Sequence, residues 1–463
     1  MSAYDVVVVG AGPGGYVAAL RAAQHGASVC LIEKQTVGGT CLNRGCIPSK
    51  ALIHSAGFWK RAREAAVLGV GASAWAFDWG RAQARKSEVV SAQVKGVHTL
   101  LAAAKVTVKQ GTGSLVDAKT VRVSGTTASE TVSAKAIILA TGSEPRGVPG
   151  IAFDGERVLS STEALEMPEL PKTFLIVGGG VIGMEFASML SSLGTTVTVV
   201  EMLPQVLPME DPMLVRVLQG VLQKQGVTFH VNTKVEKAES TAHGVRADIS
   251  GGATVEAERV LVATGRRLNS AGLGLETIGV AVDGGAIRVN ERMETSVAGI
   301  YAIGDVTGEY LLAHAASMQG LVAAANATGG DARMDYAAVP NCVYTDPEIA
   351  SVGLSEVKAR EKGIAVKVGR FAFAALGKAL CIGETQGMVK VIADAQTDRV
   401  VGVGMVGPHT TDLIAEGVLA VRHGLTAAQL AETIHAHPTL AEAVGEAAHD
   451  VHGRAIHKAR LRA

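Results

Sequence analysis

Two stretches of the chain follow one pattern: YDVVVVGAGPGGYVAALRAAQHGASVCLIEK at 4–34 and KTFLIVGGGVIGMEFASMLSSLGTTVTVVEM at 172–202. Each reads as strand, glycine turn, helix, strand. The run Val6–Val9 is typical of a parallel strand buried on both faces. Gly10, Gly12 and Gly15, with Gly14 in the same turn, fit G-x-G-x-x-G, and so do Gly178, Gly180 and Gly183. An acid, Glu33 or Glu201, lies 23 positions after the first glycine of each copy. The first glycine allows a tight turn, the second lets a pyrophosphate approach the backbone, and the third lets helix and strand pack closely. The helix N-terminus then faces the phosphate charge, and the acid accepts hydrogen bonds from a ribose. One such turn is weak evidence. Two copies with strand, helix and acid in place point to two bound dinucleotides.

What passes between two dinucleotides is most simply a hydride, exchanged between a nicotinamide and a flavin. A strand ending in Ala-Thr-Gly follows each unit: AIILATG (136–142), closing on Thr141 and Gly142, and VLVATG (260–265), closing on Gly265. A further strand and turn, GIYAIGDVTG (299–308), sets Asp305 after Gly304, where an acid can bond the sugar-alcohol chain of a flavin. Taken alone, Asp305 equally suits the N-cap of the apolar helix that follows. The predicted fold is α/β: a dinucleotide domain at 1–150, a second at 151–270, and a central segment, 271–341, returning to the first. An α+β unit at 342–463 completes it, with strands in VKVGRFAF, GMVKVIAD and RVVGVGMVG followed by Ala-rich helices.

Cys41 and Cys46, in GGTCLNRGCIPSK (38–50), are two of only five cysteines. Zinc sites favour a two-residue gap and a second ligand pair, so no metal is expected. In a regular helix residues five apart lie too far apart for a disulfide, but Gly45 and Pro48 make a distorted turn plausible. A bridge closing so small a loop adds little stability. The structural explanation is poorly motivated, and a redox role gains. Cys30, Cys342 and Cys381 stand alone in apolar surroundings and read as small buried hydrophobes. The N-terminus has no basic segment before its short apolar run, and no stretch is long enough to span a membrane. A cytoplasmic protein without membrane contact is expected. Lys+Arg and Asp+Glu are both 43, so the basic excess of a nucleic-acid binder is missing.

Together these residues resemble the pyridine nucleotide–disulfide oxidoreductases, most closely the branch that oxidises dihydrolipoamide. The resemblance runs through GGTCLNRGCIPSK, both glycine units, both Ala-Thr-Gly turns, YAIGD, VYTDPEIASVG (343–353) and HAHPTLAE (435–442), in the family's order. It implies FAD on the first unit, NAD on the second, and a redox-active Cys41–Cys46 disulfide. Cys46 would face the flavin and Cys41 the substrate. Lys50 would lie by the flavin and pair with Glu185, otherwise an unremarked helix carboxylate. His437 would deprotonate the reacting thiol, with Glu442 holding its imidazole; alone, His437 reads as a surface histidine. His435 receives no role. The resemblance also implies a homodimer in which His437 serves the other subunit's cysteines.

Two departures stand out: Leu268 replaces a common proline in ATGRRLNS, and the second glycine turn is GGGVIG. Glu201 favours NAD, since it would repel a 2′-phosphate, and Arg266 and Arg267 sit where the whole family carries such residues. The sequence contains no lipoyl-type segment, so the lipoyl group would arrive on a partner, of a 2-oxo acid dehydrogenase or glycine cleavage complex. The basic tail (His457, Lys458, Arg460, Arg462) reads as a solvated terminus. Reductases of glutathione-like or mercuric substrates are the alternatives, as is a non-enzymatic NADH-sensing flavoprotein. Against them stand the lack of a cluster of arginines after Glu201, the lack of C-terminal cysteines, and the intact set Cys41, Cys46, His437 and Glu442.

Overall fold

The computed structural model describes residues 2–71, 74–125 and 128–459. Val6, Val7 and Val8 are fully buried, and their strand, Ser2–Val9, lies at the centre of the first sheet. It runs parallel to Val29–Glu33 on one side and to Ser129–Leu139 on the other. The Thr107–Gln110 strand extends the parallel edge, and the antiparallel strands Thr120–Ser124 and Thr112–Asp117 extend the other. Ile300–Ala302 joins the same sheet, parallel to Ser129–Leu139 and in register with Ile137–Leu139. The helix after it, Ala313–Ala327, packs across the first glycine-turn helix, Pro13–Gln24. The approach is close: a Cβ on Gly320 would lie 2.6 Å from the carbonyl oxygen of Gly14.

The second sheet repeats the plan. Thr173–Val177 is central, with Thr196–Val200 and Arg259–Val262 parallel on its two sides, and Thr228–His230 and Val158–Leu159 at the edges. A short antiparallel ribbon, Ser143–Pro145 with Arg266–Leu268, ties the two units at the ends of their Ala-Thr-Gly turns. Leu268 pairs with Ser143 there, so the missing proline leaves the ribbon intact. The third unit is a five-stranded antiparallel sheet backed by helices Thr410–His423 and Glu442–Val451. Among the described residues no helix is long and apolar enough to cross a membrane.

One reading changes here. Cys381 is exposed and Cys342 only half-buried; only Cys30 is fully buried. Cys381 rides on the short helix Gly377–Ile382, which turns Ala379 inward and leaves Leu380 outside as well. The described part of the tail is solvent-exposed, as expected, with surface pairs from His457 to Glu446 at 2.7 Å and from Lys458 to Asp450 at 2.6 Å. Arg460 and Arg462 lie outside the described residues.

Candidate active site

The two glycine turns are built alike. A Cβ on Gly15 would sit 1.8 Å from the carbonyl oxygen of Gly10, and one on Gly183 would sit 2.1 Å from that of Gly178. These third glycines serve helix–strand packing. At Gly12 and Gly180, by contrast, a Cβ would meet nothing within 4 Å, and both positions face the same cleft. Glu33 is fixed by its own turn, its Oε2 accepting from Ala11 N–H at 2.8 Å. Glu201 does the same with Gly179 N–H at 2.6 Å. Both carboxylates are buried yet line the cleft.

That cleft has a volume of about 1860 Å³, well above the ~300–1,000 Å³ of a common ligand pocket. One arm is walled by Gly10, Gly12, Gly14, Glu33, Thr141, Gly142, Gly304 and Asp305, and the other by Gly178, Gly180, Glu201 and Gly265. Cys41, Cys46, Lys50 and Glu185 line the same continuous space. Open glycine backbone at two helix N-termini, each with an acid fixed beside it, fits two dinucleotides.

Asp305 is not an N-cap. It lies in the 3₁₀ turn Gly304–Thr307, while the following helix starts at Ala313 with Leu312 as its cap. Its carboxylate accepts from Ser143 Oγ, and Arg266 Nε lies 3.6 Å away. Arg266 also donates to Ser143 Oγ at 2.6 Å and to its carbonyl at 2.8 Å, and Arg267 pairs with Glu144 at 3.1 Å. Both arginines are therefore engaged by the first unit instead of standing free beside Glu201. Thr141 donates to the Asn269 carbonyl at 2.8 Å, fixing the first Ala-Thr-Gly turn against the segment after the second.

The helix breaks between the cysteines. Gly39–Arg44 ends at Gly45 (φ −148°, ψ −110°), and Cys46–Glu64 begins at once. A Cβ on Gly45 would lie 3.0 Å from the Thr40 carbonyl oxygen. Both cysteines are free thiols in this structure, hydrogen-bonded to each other. The bond from Cys41 holds the Cys46 thiol down at about 7, helped by Lys50 and opposed by burial. Cys46 is also the first residue of a 19-residue helix, whose positive end favours a thiolate. Cys41 is pushed strongly upward, first by its bond to Cys46 and then by burial. The two thiols are thus pushed apart, Cys46 toward the thiolate and Cys41 toward the thiol.

Lys50 follows one turn later on the same helix face. Its Nζ lies 2.9 and 2.8 Å from the two oxygens of buried Glu185. Tyr344 closes the group: its ring centroid is 4.4 Å from Lys50 Nζ, and its backbone N–H donates to Glu185 at 3.1 Å. Sequence reasoning missed Tyr344 and Ser143 as site residues, although Tyr344 stands inside VYTDPEIASVG and Ser143 directly follows AIILATG. His437 and Glu442 are elsewhere. His437 Nδ1 lies 2.8 Å from Glu442 Oε1, with the imidazole 77% exposed. Neither residue lines the cleft that holds the cysteines.

Comparison with known proteins agrees with this arrangement. Residues 4–320 match the pyridine nucleotide-disulphide oxidoreductase family, and residues 339–448 match its dimerisation domain. The chain belongs to this family. It is 44% identical over 469 residues to a dihydrolipoyl dehydrogenase of Bacillus subtilis, covering 98% of this chain and 99% of that one. Identity to a dihydrolipoyl dehydrogenase of Chlamydia muridarum is 45% over 449 residues, covering 96% of each. The crystal structure of LpdA from Mycobacterium tuberculosis superposes with a TM-score of 0.91 at 31% identity, covering 97% of this chain and all of that one.

Proposed function

We propose that the protein is an NAD-dependent, FAD-containing dihydrolipoyl dehydrogenase: a cytoplasmic homodimer that oxidises dihydrolipoyl groups to lipoyl disulfides. The observation that carries this reading is the single cleft joining both glycine cradles to Cys41 and Cys46. The identities of the relatives, over nearly the whole chain, favour the dihydrolipoyl substrate. FAD would rest on the first unit, through Gly10, Gly12, Gly14, Gly15, Glu33, Thr141, Gly142, Gly304 and Asp305, with Lys50 beside its ring. NAD would rest on the second, through Gly178, Gly180, Gly183, Glu201 and Gly265. When bound, FAD would supply the two-electron chemistry that links oxidation of the cysteine pair to reduction of NAD⁺.

The chain's own residues manage the sulfur chemistry. A substrate thiolate attacks Cys41 of the oxidised pair, the Cys41–Cys46 bond breaks, and Cys46 leaves as a thiolate that Lys50 and the helix N-terminus stabilise. The second substrate thiolate attacks the substrate sulfur of the mixed disulfide and expels Cys41, so the substrate leaves oxidised and the cysteines remain reduced. An ordinary thiol, with pKa near 8.5, needs a base at neutral pH. His437 supplies it, and the Glu442 carboxylate fixes the tautomer with the second ring nitrogen free to accept a proton. Because His437 is exposed and does not line its own chain's cleft, it would serve the partner subunit's cysteines. The lipoyl group would arrive on a carrier protein of a 2-oxo acid dehydrogenase or glycine cleavage complex.

The test is steady-state NAD⁺ reduction by dihydrolipoamide, run beside NADPH oxidation by glutathione disulfide. Fast NADH formation in the first assay and none in the second is expected. A flavin-loaded protein silent in the first would retain the family and refute the substrate.

A further inference from the structure

His435 lies two residues before His437, and the chemistry above gives it nothing to do. It is not a surface residue, for its side chain is only 11% exposed. Its Nε2 lies 2.8 Å from Oε1 of Glu416, on the helix Thr410–His423. From the other side it packs on Gly445, inside the helix Glu442–Val451. A Cβ on Gly445 would fall 2.9 Å from His435 Nδ1 and 3.0 Å from its Cε1. Glycine inside a helix costs about 0.5–1 kcal/mol relative to alanine, and Gly445 is not among the positive-φ glycines. The backbone does not require glycine there. The imidazole ring of His435 does.

Between the helices Ala427–Glu432 and Glu442–Val451, residues 433–441 form neither helix nor strand. Glu442 secures the downstream half, one oxygen on His437 Nδ1 and the other accepting from Thr439 N–H, both at 2.8 Å. Thr439 in turn donates to the Ala436 carbonyl at 2.7 Å. On the upstream half Ile434 is 96% exposed, so His435 is the side chain there that plugs into the fold. We propose that His435 is a positioning residue: by bonding Glu416 and seating on Gly445 it fixes the backbone of His437 between two helices. This rests on the reading of His437 as the thiol's base. The helix that carries Glu416 also walls the cleft through Ile414 and Val418, so the anchor ties the His437 segment to an element that reaches the cleft.

The test uses the dimeric holoenzyme with His435→Leu, Gly445→Ala and His435→Gln, the last keeping a donor near the Nε2 position. Gly445→Ala displaces the ring from the opposite side while favouring the helix, so it decides the matter even if His435→Leu fails to fold. Rapid mixing with dihydrolipoamide and, separately, with NADH reads the two half-reactions by flavin absorbance. Both His435→Leu and Gly445→Ala should slow the dithiol half-reaction about 10- to 100-fold while leaving the NADH half-reaction within about twofold, the cost of a misplaced base. Alkylation of Cys41 by iodoacetamide in the reduced enzyme should slow in parallel, and His435→Gln should restore most of both rates. Retention of the dithiol rate in Gly445→Ala, equal loss in both half-reactions, or no rescue by glutamine would overturn the proposal. His437→Gln run alongside separates the two levels. If it oxidises the dithiol normally, the base assignment falls; if it is slow while Gly445→Ala is fast, only the positioning role falls.

Discussion

At the scale of the residue, the cysteines differ by environment and not by type. Cys46 has a helix N-terminus, a lysine one turn away and a hydrogen bond from Cys41, all favouring its thiolate; the same bond and burial favour the thiol at Cys41. A thiol lowered to about 7 is a thiolate above that pH and loses its charge as pH falls through it. The long-wavelength absorbance that a thiolate against a flavin produces should therefore halve near pH 7 in the two-electron-reduced holoenzyme. Lys50→Met should move the midpoint upward, and Cys46→Ser should abolish the band at every pH. A band that survives in Cys46→Ser would transfer the charge to Cys41 and reverse the two sulfur roles.

At the scale of the element, the glycine turns were legible because their constraint is local. Gly183 sits five residues from Gly178 and almost on its carbonyl, with 2.1 Å left for a Cβ. Gly183→Ala should push the helix Val181–Ser192 off its strand, lowering stability by about 1–3 kcal/mol. NADH affinity, titrated by fluorescence, should weaken while the bound flavin's absorbance stays; loss of flavin with NADH binding intact would exchange the two units. The break at Gly45 was readable for the same reason, a glycine and a proline within a short span. Contacts across the fold were not. Lys50 and Glu185 are 135 residues apart, and no spacing rule links them; only resemblance to a family did. Ser143 and Tyr344 act through contacts that a strand or loop residue acquires only once the units have docked. Cys381 misled because a six-residue helix is too short for its periodicity to say which face is inward. Asp305 was ambiguous between cap and ligand until the start of the next helix at Ala313 was known.

At the scale of the whole molecule, the chain separates its chemistry into two places. The cleft between the two nucleotide units holds Cys41, Cys46, Lys50 and Glu185, while the third unit carries His437 and Glu442 out on an exposed segment. That segment belongs to the family's dimerisation domain, which spans residues 339–448. An exposed base tied to a carboxylate and anchored through His435 makes chemical sense when a second copy brings its cleft to it. The decisive measurement is complementation between two dead subunits, co-expressed with different tags and purified as a random mixture. One carries Cys46→Ser and the other His437→Gln. Two-subunit sites predict that mixed dimers, about half of a random population, regain one working site each, or about a quarter of the wild-type rate of dihydrolipoamide oxidation. If His437 served its own chain's cysteines, every subunit would stay defective, and no activity above the separate variants would contradict the account.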